Sequence, residues 1–193
     1  HFAAARPPAV DTTKLADIDA AVQAGLDRGD YPGAVVAVVH ADAVVYRKAF
    51  GRRAVRPEAE PMTPDTVFDL ASLTKPVATA TAVMQLVERG KLDLSDLVSK
   101  HWPAFAANGK GGVTVEHCLL HTSGLTADNP VADYADGREK ALERVAGLKL
   151  EAPPGTRFRY SDVGFVVLGE LVARVGGRPA DEFAAANVFK PLR

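Results

Sequence analysis

A serine and a lysine three positions apart, Ser72 and Lys75, are the residues of this sequence best placed for covalent chemistry. Pro76 is tolerated near a helix start and badly tolerated deeper inside, so a helix is predicted to begin close to Ser72. Ser72 would then lie at the positive end of the helix dipole, with Lys75 almost one turn further on the same face. This spacing permits a nucleophilic serine with a lysine base if burial or cationic neighbours lower the lysine pKa. It equally permits an N-cap serine beside a solvated lysine.

A second candidate is the tripeptide Tyr160-Ser161-Asp162, which follows a Pro-Pro-Gly break and precedes an apolar helical pattern. Ser161 is a good helix N-cap and Asp162 suits the positive end of the helix dipole, so both have ordinary structural roles. Tyr160 is less easily explained, because a buried phenolic hydroxyl needs a hydrogen-bond partner. Taken alone, the tripeptide does not decide between packing and catalysis.

The third candidate is LLHTSGL, Leu119 to Leu125. His117 and His121 are four positions apart and could share a helix face, as in a zinc site of the HExxH type. However, Cys118 stands where that motif has glutamate, and no third ligand is evident. Ser123 lies in no G-x-S-x-G turn and has no evident base. We therefore expect a helix that ends in a tight hydrogen-bonded turn, with neither a metal nor a nucleophile.

The composition is that of a globular protein. Of the 193 residues, 47% are hydrophobic and 24% are charged, which excludes a disordered or collagen-like chain. A formal net charge of -1 and the lack of a dense basic run argue against nucleic acid or an anionic membrane as the main partner. The longest apolar run, Ala34 to Val39, is far too short to span a membrane. Cys118 has no second cysteine to pair with and is expected to be a small buried side chain.

The first part of the chain is predicted to be a tail followed by a helix and a hairpin. Residues 1–11 are rich in Ala and Pro and suit the remnant of a cleaved signal peptide. Residues 12–71 hold a helix that ends near Gly29, then the strands GAVVAVVH and AVVYRKAFG, joined by a turn at Ala41-Asp42. A polar, proline-punctuated connection leads from the hairpin to Ser72.

The first strand of this hairpin indicates a larger sheet. It is apolar at every position from Ala34 to Val39, which is typical of a strand covered on both faces inside a sheet. An isolated hairpin is marginal in water, yet no other convincing strand is visible in the sequence. We therefore expect the remaining strands to lie on polypeptide that these 193 residues do not contain.

Residues 72–193 are predicted to form a mainly helical domain that carries both the Ser-x-x-Lys and the Tyr-Ser-Asp motifs. Helical patterns begin at Ser72, near Glu139 and after Ser161, and Pro179 opens a last one. The chain is therefore an α+β protein in which the candidate residues belong to the helical part.

Taken in order, these motifs resemble the serine β-lactamase and penicillin-binding-protein superfamily. The closest likeness is to its branch of class C β-lactamases, family VIII esterases and D-alanyl-D-alanine carboxypeptidases. The matching residues are Ser72-Leu73-Thr74-Lys75, LLHTSGL, and Tyr160-Ser161-Asp162 followed by VGFVVLGELVARVGGRP. The resemblance implies a β-lactamase/transpeptidase-like α+β fold, with an antiparallel sheet flanked by helices and a mainly helical domain. The sheet is expected to be incomplete in this chain.

The resemblance also implies roles for the matched residues. Ser72 is expected to attack an acyl carbonyl and form an acyl-enzyme, with its backbone N–H as one donor of the oxyanion hole. Lys75 and Tyr160 are expected to take and relay the proton, and the resemblance leaves open which of them is the base. LLHTSGL is expected to be a structural turn without a catalytic residue. Neither a cofactor nor a metal is implied.

The sequence departs from the family in two places. Class C β-lactamases usually have Tyr-x-Asn, whereas this chain has Asp162, which we expect to bind substrate but which, when ionised, can only accept hydrogen bonds. This difference favours a carboxylesterase or a D-amino-acid peptidase over a β-lactamase. The chain also stops at Arg193, before the family's Lys/His-x-Gly motif and its second oxyanion donor. We expect an N-terminal portion of a longer hydrolase, either cut into two chains or incompletely represented, that is inactive without its C-terminal portion.

The expected function is that of a serine hydrolase acting through an acyl-enzyme on an ester, amide or β-lactam carbonyl. A β-lactamase is the first alternative. From another class, a sensor that is acylated by penicillin or peptidoglycan without turnover, or a non-catalytic scaffold, also stays open. The presence of Ser72, Lys75 and Tyr160 together argues against a scaffold but not against a sensor.

The expected partners follow from this function. They are a small-molecule or peptidoglycan-like acyl substrate and the C-terminal portion of the same protein, either in the same chain or as a second chain. Neither nucleic acid nor a transmembrane segment is expected. The expected location is periplasmic or secreted, with the cytoplasm as the alternative.

Overall fold

The computed structural model describes residues 11–192 and divides into two compact units, one up to Asp69 and one from Leu70 onward. The first unit contains an antiparallel sheet and one long helix, whereas the second is almost entirely helical. All of the candidate motifs belong to the second unit.

The first unit begins with a 3₁₀ turn, Thr12–Ala16, which leads into helix α1, Asp17–Arg28. The side chain of Asp11 caps the turn by accepting a hydrogen bond from the Thr13 N–H. Gly29 ends α1 in the left-handed conformation, with φ 75°. The predicted end of this helix near Gly29 is therefore confirmed.

The sheet has three strands in the order β1-β2-β3: β1 is Gly33–His40, β2 is Ala43–Ala54 and β3 is Glu60–Pro61. The predicted hairpin of β1 and β2 is confirmed. Its two turn residues, Ala41 and Asp42, both have positive φ, 49° and 64°, as the right-handed twist of a two-residue hairpin requires.

The sheet differs from the sequence prediction at both of its edges. β2 runs beyond Gly51 and pairs with β3 in a stretch expected to be a loop, and an ion pair of Arg53 with Glu60 at 2.6 Å also joins the two strands. At the other edge, β1 has a pairing partner on one side only among residues 11–192, although its sequence is typical of an interior strand. Val39 of β1 is 63% exposed in this arrangement.

The second unit begins with three consecutive helical segments: a 3₁₀ turn Ala71–Leu73, a π-helix Lys75–Ala80 and helix α2, Thr81–Glu88. The other elements are α3 (Val98–His101), a kinked 3₁₀ segment (Pro103–Gly112), α4 (Val115–Leu119), a 3₁₀ turn (Val131–Tyr134), α5 (Arg138–Gly147), α6 (Asp162–Gly176), α7 (Ala180–Ala184), a π segment (Ala185–Phe189) and α8 (Lys190–Leu192).

The core of the second unit is built around α6. Its fully buried residues pack against the apolar faces of α2, α3 and α4 and against the segments between them. The members without exposed surface include Val83, Leu86, Val98, Phe105, Val113, Val115, Leu125, Val163, Val167, Leu168 and Leu171. This core fixes the position of the start of α6, where the tripeptide Tyr160-Ser161-Asp162 lies. None of the helices in the described part of the chain is long and apolar enough to cross a membrane.

Candidate active site

Ser72 lies in the helical turn that opens the second unit. The Leu73 N–H donates to the Leu70 carbonyl at 2.9 Å, so the turn starts where the sequence predicts, and the Ser72 side chain is exposed. Ala71, directly before the serine, has φ 45°, a left-handed conformation that costs a residue with a Cβ about 1–2 kcal/mol. The backbone is therefore strained at the residue that aims Ser72.

The helix after Ser72 is not a regular α-helix at first, and this the sequence analysis did not anticipate. Residues Lys75–Ala80 form a π-helix. Pro76 has no N–H to donate, and its carbonyl accepts a hydrogen bond from the side chain of Thr81 at 2.9 Å. Short π segments of this kind are frequent at functional sites, because they shift side chains relative to the rest of the helix.

Lys75 reaches back toward the serine. Its Nζ donates a hydrogen bond to Ser72 Oγ at 3.2 Å. The lysine side chain is only 14% exposed. Its Nζ also lies over two aromatic rings, 4.9 Å from the centre of Tyr160 and 5.9 Å from that of Phe165. The prediction that the pair lies together on one face is confirmed.

The start of α6 brings the second motif to the same place. Ser161 caps the helix, because its Oγ accepts from the Gly164 N–H at 3.0 Å and donates to the Thr126 carbonyl at 2.6 Å. The Asp162 N–H donates to the Ala127 carbonyl at 2.7 Å. These bonds anchor the two residues that follow Tyr160 to the loop that precedes α5, and the Tyr160 ring lies against Lys75 Nζ.

Asp162 forms an ion pair with the lysine. Its Oδ1 lies 2.6 Å from Lys75 Nζ and is buried, although the aspartate side chain as a whole is half exposed. The structure thus brings together all four residues that the sequence analysis singled out: Ser72, Lys75, Tyr160 and Asp162.

The electrostatics of the group favour opposite charges on the lysine and the tyrosine. Burial, the largest single influence, would lower the pKa of Lys75, but the hydrogen bonds and charges of Asp162 and Tyr160 together raise it above its ordinary value. Hydrogen bonds from Ser72 and from Lys75 lower the pKa of Tyr160, against the opposing effect of burial. Lys75 is therefore an ammonium at neutral pH, and a phenolate on Tyr160 is easier to form than in water.

This arrangement can move a proton away from Ser72. The serine hydroxyl lies between an ammonium that donates to it and a phenol oxygen that can accept from it. A charged lysine cannot take a proton, whereas a tyrosine with a lowered pKa can. The geometry therefore favours Tyr160 as the proton acceptor and Lys75 as the charge that stabilises it.

The LLHTSGL segment is the hydrogen-bonded turn that the sequence predicts. Helix α4 ends at Leu119, and the Thr122 N–H donates to the His117 carbonyl at 2.8 Å. Gly124 has φ 77°, and a Cβ there would lie 2.0 Å from the Ala152 carbonyl oxygen, so only glycine fits. Ser123 is buried, and its Oγ accepts from the Leu125 N–H.

Two further expectations concern the same segment. His121 lies outside α4 with φ 57°, so it does not share a helix face with His117. In residues 11–192, no three His, Cys, Asp or Glu side chains are grouped so that they could hold a metal ion. Cys118 is fully buried as predicted, and burial raises its pKa to about 12.

The aromatic surroundings of Tyr160 were not predicted from the sequence. The ring of His121 lies 4.4 Å from that of Tyr160, centre to centre, and 5.1 Å from that of Phe165. Nothing in the spacing of these residues predicts the contact, because His121 and Tyr160 are far apart in the chain and meet only through the fold.

Residues 18–193 match the family described as Beta-lactamase. The chain belongs to the beta-lactamase family. The resemblance drawn from the three motifs is thereby confirmed, as is the β-lactamase-like fold, of which the structure shows helices and a small three-stranded antiparallel sheet.

The chain is similar to several proteins named as hydrolases of this superfamily. It is 33% identical to N-acetylmuramyl-L-alanine amidase of Bacillus subtilis, over 94% of this chain and 45% of the relative. It is 32% identical to a Salmonella schwarzengrund protein provisionally named a D-alanyl-D-alanine carboxypeptidase, over 94% and 46%. Among solved structures, EstCE1, a hydrolase with promiscuous acyltransferase activity, is 31% identical with a TM-score of 0.81, over 95% of this chain and 53% of that one.

The matches cover most of this chain but only part of each relative. The chain spans about half the length of the curated relatives that it matches, 45% and 46% in the two cases. At the level of the superfamily, these neighbours are hydrolases, as the names of the amidase and of EstCE1 state.

Proposed function

We propose that this protein is a serine hydrolase that works through an acyl-enzyme on Ser72. The observation that carries the proposal is the hydrogen bond of 3.2 Å from Lys75 Nζ to Ser72 Oγ, with the same Nζ 4.9 Å from the centre of the Tyr160 ring. A serine exposed at the surface and flanked by a buried ammonium and a phenol of lowered pKa is an activated nucleophile.

In the proposed acylation, Ser72 Oγ forms a bond to the substrate carbonyl carbon while its proton passes to the Tyr160 phenolate. The carbonyl π electrons move to the oxygen, and the Ser72 backbone N–H stabilises the resulting oxyanion. Tyr160 then returns the proton to the leaving group as the bond from carbon to that group breaks. In the proposed deacylation, Tyr160 takes a proton from a water molecule whose oxygen bonds to the acyl carbon, and it returns that proton to Ser72 Oγ as the Oγ–carbon bond breaks and the acid leaves.

Lys75 stays protonated throughout this proposal. Its ammonium stabilises the negative charge on Tyr160 and is itself held by the ion pair with Asp162. The half-exposed carboxylate of Asp162 remains within reach of a substrate and can accept a hydrogen bond from a substrate N–H or O–H, but it cannot donate one.

The proposed substrate is an ester or an amide of a small or peptidoglycan-like molecule. An acceptor at position 162 suits an acyl group that carries donors, and the relatives include an amidase and an esterase-like hydrolase. A β-lactam is the alternative that the family name supports. An extracytoplasmic location would fit a peptidoglycan-like substrate, and cell fractionation tests it.

We also propose that activity needs polypeptide beyond this chain. The chain covers about half of each curated relative, and the apolar strand β1 has an unpaired edge among residues 11–192. Only one oxyanion donor, the N–H of Ser72, belongs to the group of residues described above. The remaining portion of the protein would supply further strands and the second donor.

Mass spectrometry of the full protein tests the proposed nucleophile. Incubation with a fluorophosphonate is expected to give a single covalent adduct that maps to Ser72 and is lost in Ser72→Ala. Ser95→Ala, an exposed serine in a surface turn, is the matched control and is expected to keep the adduct. An adduct that persists in Ser72→Ala would refute the assignment.

A penicillin adduct separates the alternatives. Rapid turnover of penicillin indicates a β-lactamase, whereas a stable penicillin adduct without hydrolysis of p-nitrophenyl esters indicates a sensor. Ester hydrolysis with slow or absent penicillin turnover supports the proposed hydrolase. The 193 residues on their own are expected to be inactive and to regain activity when the rest of the protein is added.

A further inference from the structure

We propose that His121 is a positioning residue for Tyr160, and that it works only as the neutral imidazole with its proton on Nε2. The proposal rests on the function proposed for Tyr160 and adds to it the residue that fixes the tyrosine in place. LLHTSGL, to which His121 belongs, was expected to be purely structural.

His121 holds the backbone on both sides of the tyrosine. Its carbonyl accepts a hydrogen bond from the Arg159 N–H at 2.8 Å. Its ring atom Nδ1 accepts one from the Ser161 N–H at 3.0 Å. One residue thus binds the N–H groups directly before and after Tyr160, which restricts the backbone from which the phenol ring projects.

The imidazole also packs against the ring that it positions. The two ring planes are inclined by 31° with their centres 4.4 Å apart, a close tilted stack. Phe165 and Phe158 contact other parts of the imidazole at 5.1 Å and 6.0 Å, the second edge-on. His121 is therefore held among three aromatic rings, and its position is transmitted to Tyr160.

The backbone of His121 is strained, and its strained conformation allows both of the hydrogen bonds that hold the neighbours of Tyr160. Its φ is 57°, in the left-handed region that residues with a side chain enter only at an energetic cost. In this left-handed conformation the His121 carbonyl accepts from the Arg159 N–H while the ring Nδ1 accepts from the Ser161 N–H. Asparagine tolerates this region well, which makes it the substitution of choice at this position.

The protonation state follows from the hydrogen bond. Nδ1 accepts from the Ser161 N–H, so it carries a lone pair and the ring proton lies on Nε2. The charged groups that face the ring are Lys75 from the π-helix and Asp162 from α6, with Tyr160 stacked on it. Burial and, to a smaller extent, the charge of Lys75 lower the pKa of His121, and the charge of Asp162 opposes this shift. Because the net shift is downward, the imidazole is neutral at pH 7.

Acid would therefore release the tyrosine. Protonation of Nδ1 below the lowered pKa of His121 turns the acceptor into a donor facing the Ser161 N–H, and the hydrogen bond breaks. Acylation already requires deprotonated Tyr160. The logarithm of the acylation rate therefore falls with pH at the slope expected for the binding of one proton. Below the pKa of His121 a second proton binds, at Nδ1 of His121, and the acylation rate falls at the slope expected for two protons.

Two substitutions in the full protein separate the acceptor from the ring. His121→Asn places an amide oxygen at the position of Nδ1, and this amide does not titrate. The rate of acylation by a p-nitrophenyl ester is therefore expected to stay within roughly fivefold of the parent rate, and its acid limb is expected to show the slope of one proton. His121→Phe keeps a ring but leaves the Ser161 N–H without a partner, so we expect a loss of roughly 10- to 100-fold in the acylation rate with little change in KM.

His117→Asn is the matched control. His117 also accepts a backbone N–H through Nδ1, that of Thr114 at 3.2 Å, but there it caps helix α4. This variant is expected to keep the two-proton acid slope of the parent. Equal rates and unchanged pH profiles for both His121 variants would overturn the proposal.

A measurement without turnover keeps this test separate from that of the function. The ¹⁵N chemical shifts of the His121 ring in the unreacted protein are expected to show a protonated Nε2 and a bare Nδ1 at neutral pH. A proton on Nδ1 would refute the proposal even if Ser72 is the nucleophile. If Ser72→Ala leaves the fluorophosphonate adduct in place, the function of Tyr160 fails, and the role assigned to His121 fails with it whatever its tautomer.

Discussion

The second unit contains two lysines with little or no exposed surface, and their surroundings differ. Lys75 is 14% exposed, pairs with Asp162 at 2.6 Å and donates to a serine hydroxyl. Lys110 has no exposed surface, and its Nζ donates to the carbonyls of Ala107, at 2.6 Å, and Leu148. Among residues 11–192, no carboxylate forms an ion pair with Lys110.

The two lysines show that burial alone does not decide the charge of a side chain. Burial lowers the pKa of Lys110, and no other influence opposes it. Burial acts in the same direction on Lys75, but there Asp162 and Tyr160 reverse the shift. A lowered lysine pKa is often taken as a sign of a general base. Here the lysine with the lowered pKa donates to the carbonyls of Ala107, in the kinked 3₁₀ segment, and of Leu148, at the end of α5, whereas the lysine beside the serine has a raised pKa.

The largest expected effect concerns the loss of each lysine in turn. Lys75→Met removes the charge that stabilises the Tyr160 phenolate, so we expect acylation by a p-nitrophenyl ester to fall by roughly 1000-fold. Lys110→Met is the matched variant and is expected to leave the rate within roughly threefold, because Lys110 contacts none of the proposed catalytic residues. Comparable losses of rate in both variants would end the distinction between the two sites.

The next effect concerns the charge that sets the two lysines apart. Asp162→Asn removes the carboxylate but keeps the size of the side chain, so burial is expected to lower the pKa of Lys75 as it does that of Lys110. Since the proposed mechanism needs Lys75 protonated, the alkaline fall in the acylation rate should move to lower pH than in the parent protein.

Asp181→Asn, an exposed residue in the first turn of α7, is the control for this charge change. It is expected to leave the pH profile of acylation unchanged. An alkaline limb that stays in place in Asp162→Asn would mean that the ion pair does not set the charge of Lys75.

A smaller effect concerns the stability of the protein at alkaline pH. The pKa of folded Lys110 lies below its ordinary value of 10.5, so between these two values the unfolded state binds more protons than the folded state. The cost of burying the charge is present below the folded pKa and is relieved as pH rises toward 10.5. The free energy of unfolding, relative to Lys110→Met, should therefore increase with pH across this interval, as measured by urea denaturation.

Lys75 should behave in the opposite sense. Its folded pKa is raised, so its contribution to stability is fully present below 10.5 and is lost only as pH rises through the folded value. Urea denaturation of the Lys75→Met variant supplies the comparison. The same slope with pH for both lysines would contradict the account.

The smallest expected effect concerns backbone strain in the turn that holds Ser72 and in the turn that precedes Lys110. Ala71, before the serine, has φ 45°, whereas the turn before Lys110 gives its left-handed positions to Asn108 and Gly109, residues suited to them. Ala71→Gly is therefore expected to raise the free energy of unfolding by less than ~1 kcal/mol while lowering the acylation rate slightly.

Asn108→Ala is the counterpart in the Lys110 turn. It is expected to lower the free energy of unfolding by about 1–2 kcal/mol, since it introduces strain and removes the hydrogen bond from Asn108 Nδ2 to the Gly147 carbonyl. Chemical denaturation of both variants checks the pair, and a destabilising Ala71→Gly would argue against strain at the serine.

Much of the architecture could be predicted from the sequence, because its signals are local. Gly29 ends α1, Ser161 caps α6 and Pro76 limits where the helix after Ser72 can begin, each through the conformation of one or two residues. The family likewise followed from three short motifs. The short strand β3 escaped prediction because Glu60–Pro61 is only two residues long and lies in a polar, proline-containing stretch without a strand pattern.

The electrostatics of the candidate site could not be predicted in the same way. The sequence places Lys75 three residues from Ser72, but the raised pKa depends on Asp162, which arrives from α6. The stacking of His121 on Tyr160 likewise depends on two loops that meet only in the folded unit. The π-helix after Ser72 has no signal in residue type beyond Pro76.

The central claim is that the neighbours of Lys75, rather than its burial, set its charge. Direct titration of both lysines by ¹⁵Nζ NMR in one sample of the full protein, assigned with Lys75→Met and Lys110→Met, tests this claim most directly. The account predicts a pKa above 10.5 for Lys75 and below 10.5 for Lys110. A Lys75 that loses its proton before Lys110 does would contradict it and would make Lys75 the base that activates Ser72.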